Sequence, residues 1–176
     1  MLFGHDPTVP LYAGMSSGAP PSDGVRLILE RYRRLAVVGL SPRPDRPSHR
    51  AMVHMAANGY EITPVNPSCD EVLGNPCVGS LEEAAERSPL EIVDIFRRPE
   101  DIPPIVDEAI GLGAKVIWLQ LGLTSPEAAA RARDAGLEVV EDRCVKMEHC
   151  RFFGGLNVVG LSTGVIGSRR MDRFHG

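Results

Sequence analysis

The chain has 176 residues, of which 43% are hydrophobic and 24% charged, and a formal net charge of −4. This suits one well-cored domain rather than two, excludes a wholly disordered chain, and argues against a general nucleic-acid binder, which needs a broad basic face. No apolar run approaches a membrane span and Met1 to Gly24 lack the layout of a secretory signal, so a cytoplasmic protein without membrane association is expected.

In chain order, residues 1–21 are crowded with Pro, Gly and Ser and read as a flexible arm. The domain is expected over 22–150, with a glycine-rich extension packed on or near it over 151–176. Val25, Leu27, Ile28 and Leu29 suggest a short helix from Ser22 with a wet, basic end through Arg34. Leu35 to Val38, closed by Gly39, suits an interior strand of a parallel sheet covered on both faces. Pro42, Pro44 and Pro47 then forbid ladder pairing, while Arg43, Arg46 and Arg50 place cations in the same turn. Ser48 is the expected N-cap of a helix bearing Met52, Val53, Met55 and Ala56, with Gly59 at its end. Free N–H groups at such a helix start favour an anion, and the arginine forks point to phosphate.

Tyr60 to Val65 reads as a second strand, followed at once by Asn66-Pro67. Ser80 and Glu83 form a capping box for a helix running from Leu81 to about Arg87. Leu90 to Phe96 is the third strand, with Asp94 expected to meet a backbone or arginine partner, and Arg97-Arg98-Pro99 follow. Asp101 is expected to cap a helix that buries Ile105, Val106, Ala109 and Ile110. Lys115 to Gln120 is the fourth strand, and Ser125-Pro126-Glu127 start a helix ending at Gly136. Leu137 to Val140 is the fifth strand, and Asp142 to Lys146 read as the loop after it. Gly154 to Gly167 are compatible with either a final edge strand or a tail folded over the binding rim.

Strict alternation of strand and helix predicts an α/β, Rossmann-like open parallel sheet of about five strands, order 3-2-1-4-5, with helices on both faces. Loops beyond the carboxyl ends of the strands share one rim, with a crevice between the first and fourth strands. That rim is expected to gather Arg43, Arg46, Arg50, Arg97, Arg98, Arg143 and Lys146. The first loop lacks G-x-G-x-x-G, and Asn66-Pro67 stand where a dinucleotide fold keeps its ribose-binding acid; both count against an NAD(P)-dependent oxidoreductase. Cys69, Cys77, Cys144 and Cys150 form no C-x-x-C pair, so reduced thiols and no metal site are expected. Cys144, beside Arg143 and Lys146, is a candidate nucleophile, with an inert interior thiol as the competing reading.

Five segments, Val38 to His49, Pro64 to Pro67, Asp94 to Asp101, Trp118 to Gly122 and Asp142 to Lys146, together resemble the small stand-alone CoA-binding proteins. These are similar to the N-terminal CoA-binding domain of the succinyl-CoA synthetase α subunit. The resemblance spans Arg34 to His149 and implies a domain that holds coenzyme A or an acyl-CoA across the strand ends. It implies that Gly39, Leu40, Ser41, Pro42, Arg43 and the helix start at Ser48 face the phosphates; the five histidines lie outside the family's motif and read as structural, His49 being the one that its place in the first helical turn sets nearest the ligand. Asn66, Pro67, Phe96, Arg97, Arg98 and Pro99 would flank the nucleotide, Gln120, Leu121 and Gly122 would line the pantetheine path, and Cys144 corresponds to a position near its far end. The synthetase's phosphorylated histidine belongs to a second domain and its nucleotide site to a partner subunit, and this chain is too short for either. The implied role is therefore a carrier, sensor or accessory module, with a homodimer or an acyl-CoA enzyme as open partner assignments. The alternative is a thiol-dependent enzyme or redox protein using Cys144 with a CoA thioester or CoA disulfide.

Overall fold

A computed structural model describes residues 22–154. The arm over 1–21 and the extension past residue 154, with the edge strand or tail expected there, lie outside the described residues. The elements are α1 (Ser22–Arg31), β1 (Arg34–Val38), α2 (Pro47–Ala57), β2 (Glu61–Val65), β3 (Glu71–Val72), β4 (Asn75–Pro76), α3 (Leu81–Arg87) and β5 (Ile92–Ile95). After a 3-10 turn at Pro99–Asp101 follow α4 (Ile102–Gly111), β6 (Val116–Leu119), α5 (Pro126–Asp134), β7 (Glu138–Val140) and α6 (Val145–Phe153).

Five of the strands pair in parallel in the order β2-β1-β5-β6-β7, the expected open α/β sheet. Counted among themselves they run 2-1-3-4-5, so the third strand lies inside, against the first, and not at the far edge where the sequence had placed it. Burial explains the difference. All four residues of β5 are buried, as a strand with a neighbour on each side requires, whereas β2 exposes Glu61 and carries Pro64, which a sheet tolerates at an edge.

Side chains alternate between two cores. Ala36, Val38, Val93, Ile95, Ile117, Leu119 and Val139 face α3, α4 and α5, while Leu35, Val37, Ile92, Val116, Trp118 and Val140 face α1, α2 and α6. Helix α6 was not assigned from sequence; Val145 and Lys146, read there as loop, form its first turn. The β3–β4 hairpin was also missed. Leu73 and Gly74 fill its two-residue turn with positive φ at both, 53° and 74°, a conformation that Asn-Gly usually announces. Beyond the hairpin the chain straps the outer side of β2, where Val78 N–H donates to Pro64 O (2.9 Å) and Asn66 N–H to Val78 O (2.9 Å).

Candidate functional site

The order β2-β1-β5 sends the chain to one side of β1 and then back to the other, so the crevice opens beyond the ends of β1 and β5, not between the first and fourth strands. A cleft of about 610 Å³ lies there, within the range of small-molecule sites. Gly39 and Ser41 follow β1, Phe96 follows β5, and Gln120, Leu121 and Leu123 follow β6. Arg46, Pro47 and Ser48 bring the start of α2, and Cys144 and Met147 the start of α6. Arg46, Phe96 and Leu123 also line an adjoining pocket with Arg97, Arg98, Pro99 and Asp101, so a cationic end and an apolar end are continuous.

Local bonding shapes the first loop. Gly39 has φ 85°, and a Cβ on it would lie 2.6 Å from Phe96 O and 2.8 Å from Arg97 Cδ, so the loops after β1 and β5 close on each other only through glycine. Arg46, not Ser48, is the N-cap of α2, because Pro47 takes the first helical position. The Ser48 hydroxyl instead accepts from Ser41 N–H at 3.1 Å and folds the loop onto the helix. The first backbone rung of α2 runs from Arg50 N–H to Arg46 O, so the N–H groups of Ser48 and His49 precede the ladder and present partial positive charge.

Beneath the cleft sits a buried brace. Asp94 Oδ1 accepts from Gln120 Nε2 at 2.7 Å, and Gln120 Oε1 accepts from Val145 N–H at 3.4 Å, which ties β5, β6 and α6 together. The partner of Asp94 is thus an amide and its neighbouring backbone at Ile95, not an arginine. Complete burial pushes its carboxyl up to about 7 against the lowering effect of the Gln120 hydrogen bond.

Of the residues singled out from sequence, Gly39, Ser41, Arg46, Ser48, Phe96, Arg97, Arg98, Pro99, Gln120, Leu121 and Cys144 meet at these two pockets. Others support the walls. Leu40 is fully buried, and its carbonyl accepts from Asn66 Nδ2 at 2.9 Å; Asn66 Oδ1 accepts from Ser68 N–H. His49 Nδ1 lies 3.0 Å from Ser41 O, and Gly122 N–H donates to Asp142 Oδ1 at 2.6 Å. Arg43 pairs with Asp45, Arg50 donates to Asp45 O, and Arg143 pairs with Glu148. Lys146 acts electrostatically on His54, and neither it nor Pro42 nor Pro67 lines either pocket. Of the seven cations expected along the rim, Arg46, Arg97 and Arg98 line these two pockets. Sequence reasoning missed Pro47, Leu123, Met147 and Asp101; Met147 stands three residues past Cys144, a spacing that points to the cleft only once α6 is known.

Arg97 contacts Asp101 at 3.4 Å, and Arg98 contacts Glu100 at 3.4 Å and Asp101 at 3.7 Å. Such half-exposed pairs hold weakly, so an incoming phosphate can take these guanidinium groups over. Phe96, Leu121, Leu123 and Met147 supply apolar surface at the other end. A phosphorylated nucleotide with a long, mostly uncharged arm matches that division of chemistry.

Residues 33–150 match a family described as CoA binding domain. The chain is 44% identical over 130 residues to the uncharacterized protein YneT of Bacillus subtilis (strain 168), covering 74% of this chain and 95% of that one. A hypothetical protein from Pyrococcus horikoshii OT3 superposes with a TM-score of 0.73 at 37% identity, covering 85% of this chain and all of its own. Prb, described as PH1109 protein redesigned for binding, superposes with a TM-score of 0.74 at 39% identity, covering 77% of this chain and 94% of its own.

Proposed function

This chain belongs to the CoA binding domain family, and on that premise we propose that it holds coenzyme A or an acyl-CoA in the cleft beyond β1 and β5. The single observation that carries the reading is the continuity of a cationic and an apolar pocket through Arg46, Phe96 and Leu123. Arg46, Arg97, Arg98 and the first-turn N–H groups of α2 would hold phosphates. Phe96, Leu121, Leu123 and Met147 would cover the arm, whose end lies toward Cys144. The role is that of a carrier, sensor or accessory module. Its likeness to the CoA-binding domain of the succinyl-CoA synthetase α subunit supports an acyl-CoA enzyme as the partner. Four free cysteines support a reducing compartment such as the cytoplasm.

Calorimetric titration of the full chain with CoA and with NAD tests the ligand. Saturable heat with CoA and none with NAD is expected; silence with CoA at millimolar concentration overturns the reading. The residue directly after β2, Asn66, is an amide tied to Leu40 O and Ser68 N–H and not a ribose-binding acid, which supports the choice of CoA over NAD(P).

One observation favours a second reading: Cys144 lines the cleft itself. A thiol there is placed to exchange with a CoA thioester or CoA disulfide. Intact-mass spectrometry after incubation with acetyl-CoA or CoA disulfide, compared with Cys144→Ala, distinguishes an adduct from simple binding.

A further inference from the structure

Away from the cleft, α6 packs on α2 and places three side chains in line. His54 Nε2 lies 3.5 Å from Cys150 Sγ and 3.0 Å from His149 Nδ1. Cys150 is exposed, whereas His149 is buried among the rings of His54, Tyr60 and Phe153. Among the described residues no three His, Cys, Asp or Glu side chains are arranged to hold a metal ion. Cys150 stands in the last turn of α6, where the helix dipole gives a thiolate no help. A proton acceptor must supply the activation, and among the described residues His54 lies within reach.

We propose that Cys150 is a reactive thiol, with His54 as its proton acceptor and His149 as the group that positions His54, and that it exchanges with low-molecular-weight disulfides. The Cys150 proton passes to His54 Nε2 as sulfur attacks one atom of RS–SR. The Cys150–S–S–R bond forms, the original S–S bond breaks, and the released RS⁻ takes the proton back from His54. The net change is Cys–SH plus RSSR giving Cys–S–SR plus RSH, and excess thiol reverses it. The step requires the resting protons to sit on His54 Nδ1 and His149 Nε2, so that the proton taken up at His54 Nε2 is then accepted by His149 Nδ1, 3.0 Å away.

The surroundings select the substrate class. Disulfide exchange needs a base for the thiol proton, an exposed sulfur and a proton for the leaving group, and His54 beside exposed Cys150 supplies these, whereas acyl transfer needs oxyanion donors in a closed pocket. Lys146, four residues before Cys150 on the same face of α6, acts on His54, and Arg33 acts on His149, so an anionic disulfide is favoured. Burial and these cations hold both imidazoles below the usual histidine range, which keeps His54 unprotonated at neutral pH.

The full chain incubated with glutathione disulfide, quenched in acid and mapped by mass spectrometry should carry one glutathionyl group, on Cys150. Its rate should exceed that of an unstructured cysteine peptide by about tenfold or more at neutral pH. Cys150→Ser should remove the adduct, and His54→Gln should slow the reaction by about tenfold and leave a rate that climbs with pH as an ordinary thiol does. An adduct on Cys69, Cys77 or Cys144 with Cys150 unmodified would overturn the proposal. So would a peptide-like rate in the wild-type chain, a comparison that needs no variant, or an unchanged pH profile in folded His54→Gln. None of these outcomes bears on CoA binding, which the calorimetry reads separately.

Discussion

Gly39 and Asp94 are single residues on which the site depends in opposite ways. At Gly39 the left-handed backbone and the 2.6 Å approach to Phe96 O leave no room for a methyl group. Gly39→Ala should lower stability by about 2 kcal/mol in urea denaturation and weaken ligand binding, because Phe96 and Arg97 must retreat. Asp94 holds its proton up to about 7 in the fold but loses it near 4 when unfolded. Its contribution to stability is therefore fully present below the unfolded value and is lost as pH rises through about 7. Glu138, mostly buried and also raised to about 7, acts in the same window. Urea midpoints measured from acid to neutral pH should fall in the wild type, and the decline should flatten in Asp94→Asn. Gly39 was legible as the end of a strand; the amide partner of Asp94 was not, since only strand order brings Gln120 beside it.

At the scale of elements, caps divide into those readable from spacing and those that tertiary contacts decide. The capping box before α3 is as the sequence indicates: Ser80 Oγ accepts from Glu83 N–H at 3.2 Å and Glu83 Oε2 from Gly79 N–H at 2.9 Å. Ser80→Ala should cost about 1 kcal/mol by urea midpoint and leave ligand affinity unchanged. Ser48 has the right composition for the same task but lies inside α2, where its hydroxyl holds the cleft loop. Ser48→Ala should therefore reduce affinity as well as stability, which the same two measurements separate from the Ser80 case. The four main helices after α1 and the five parallel strands were legible because each carries periodic apolar residues between Pro or Gly punctuation. Helix α6 was not, since its stretch Val145–Phe153 mixes charge, histidine and aromatic residues with a short buried stripe of Val145 and His149. Pro64 was the available sign that β2 is an edge strand, and it would have placed the third strand inside.

For the molecule as a whole, a net charge of −4 coexists with a cationic pocket. The sequence tells which loops share the rim but not which way each side chain turns, so Arg43 and Arg97 look equivalent until Arg97 is found lining a pocket and Arg43 lining neither. Arg46→Ala and Arg97→Ala should each weaken CoA binding by about 1–3 kcal/mol and reduce its salt dependence, whereas Arg43→Ala should change affinity far less. Calorimetry at low and high ionic strength checks the ranking.

The sheet's two flanks are guarded in different ways: the strap at Val78 hydrogen-bonds along β2, and three-residue β7 carries the carboxyl of Glu138 into the interior. Along β2 a second copy finds no bare ladder to extend, so templated strand-on-strand growth there must wait until the strap peels away, while at β7 the short strand and inward carboxyl disfavour it. Fibril-forming tendency through the β2 flank should therefore track loosening of residues 75–78 rather than global unfolding.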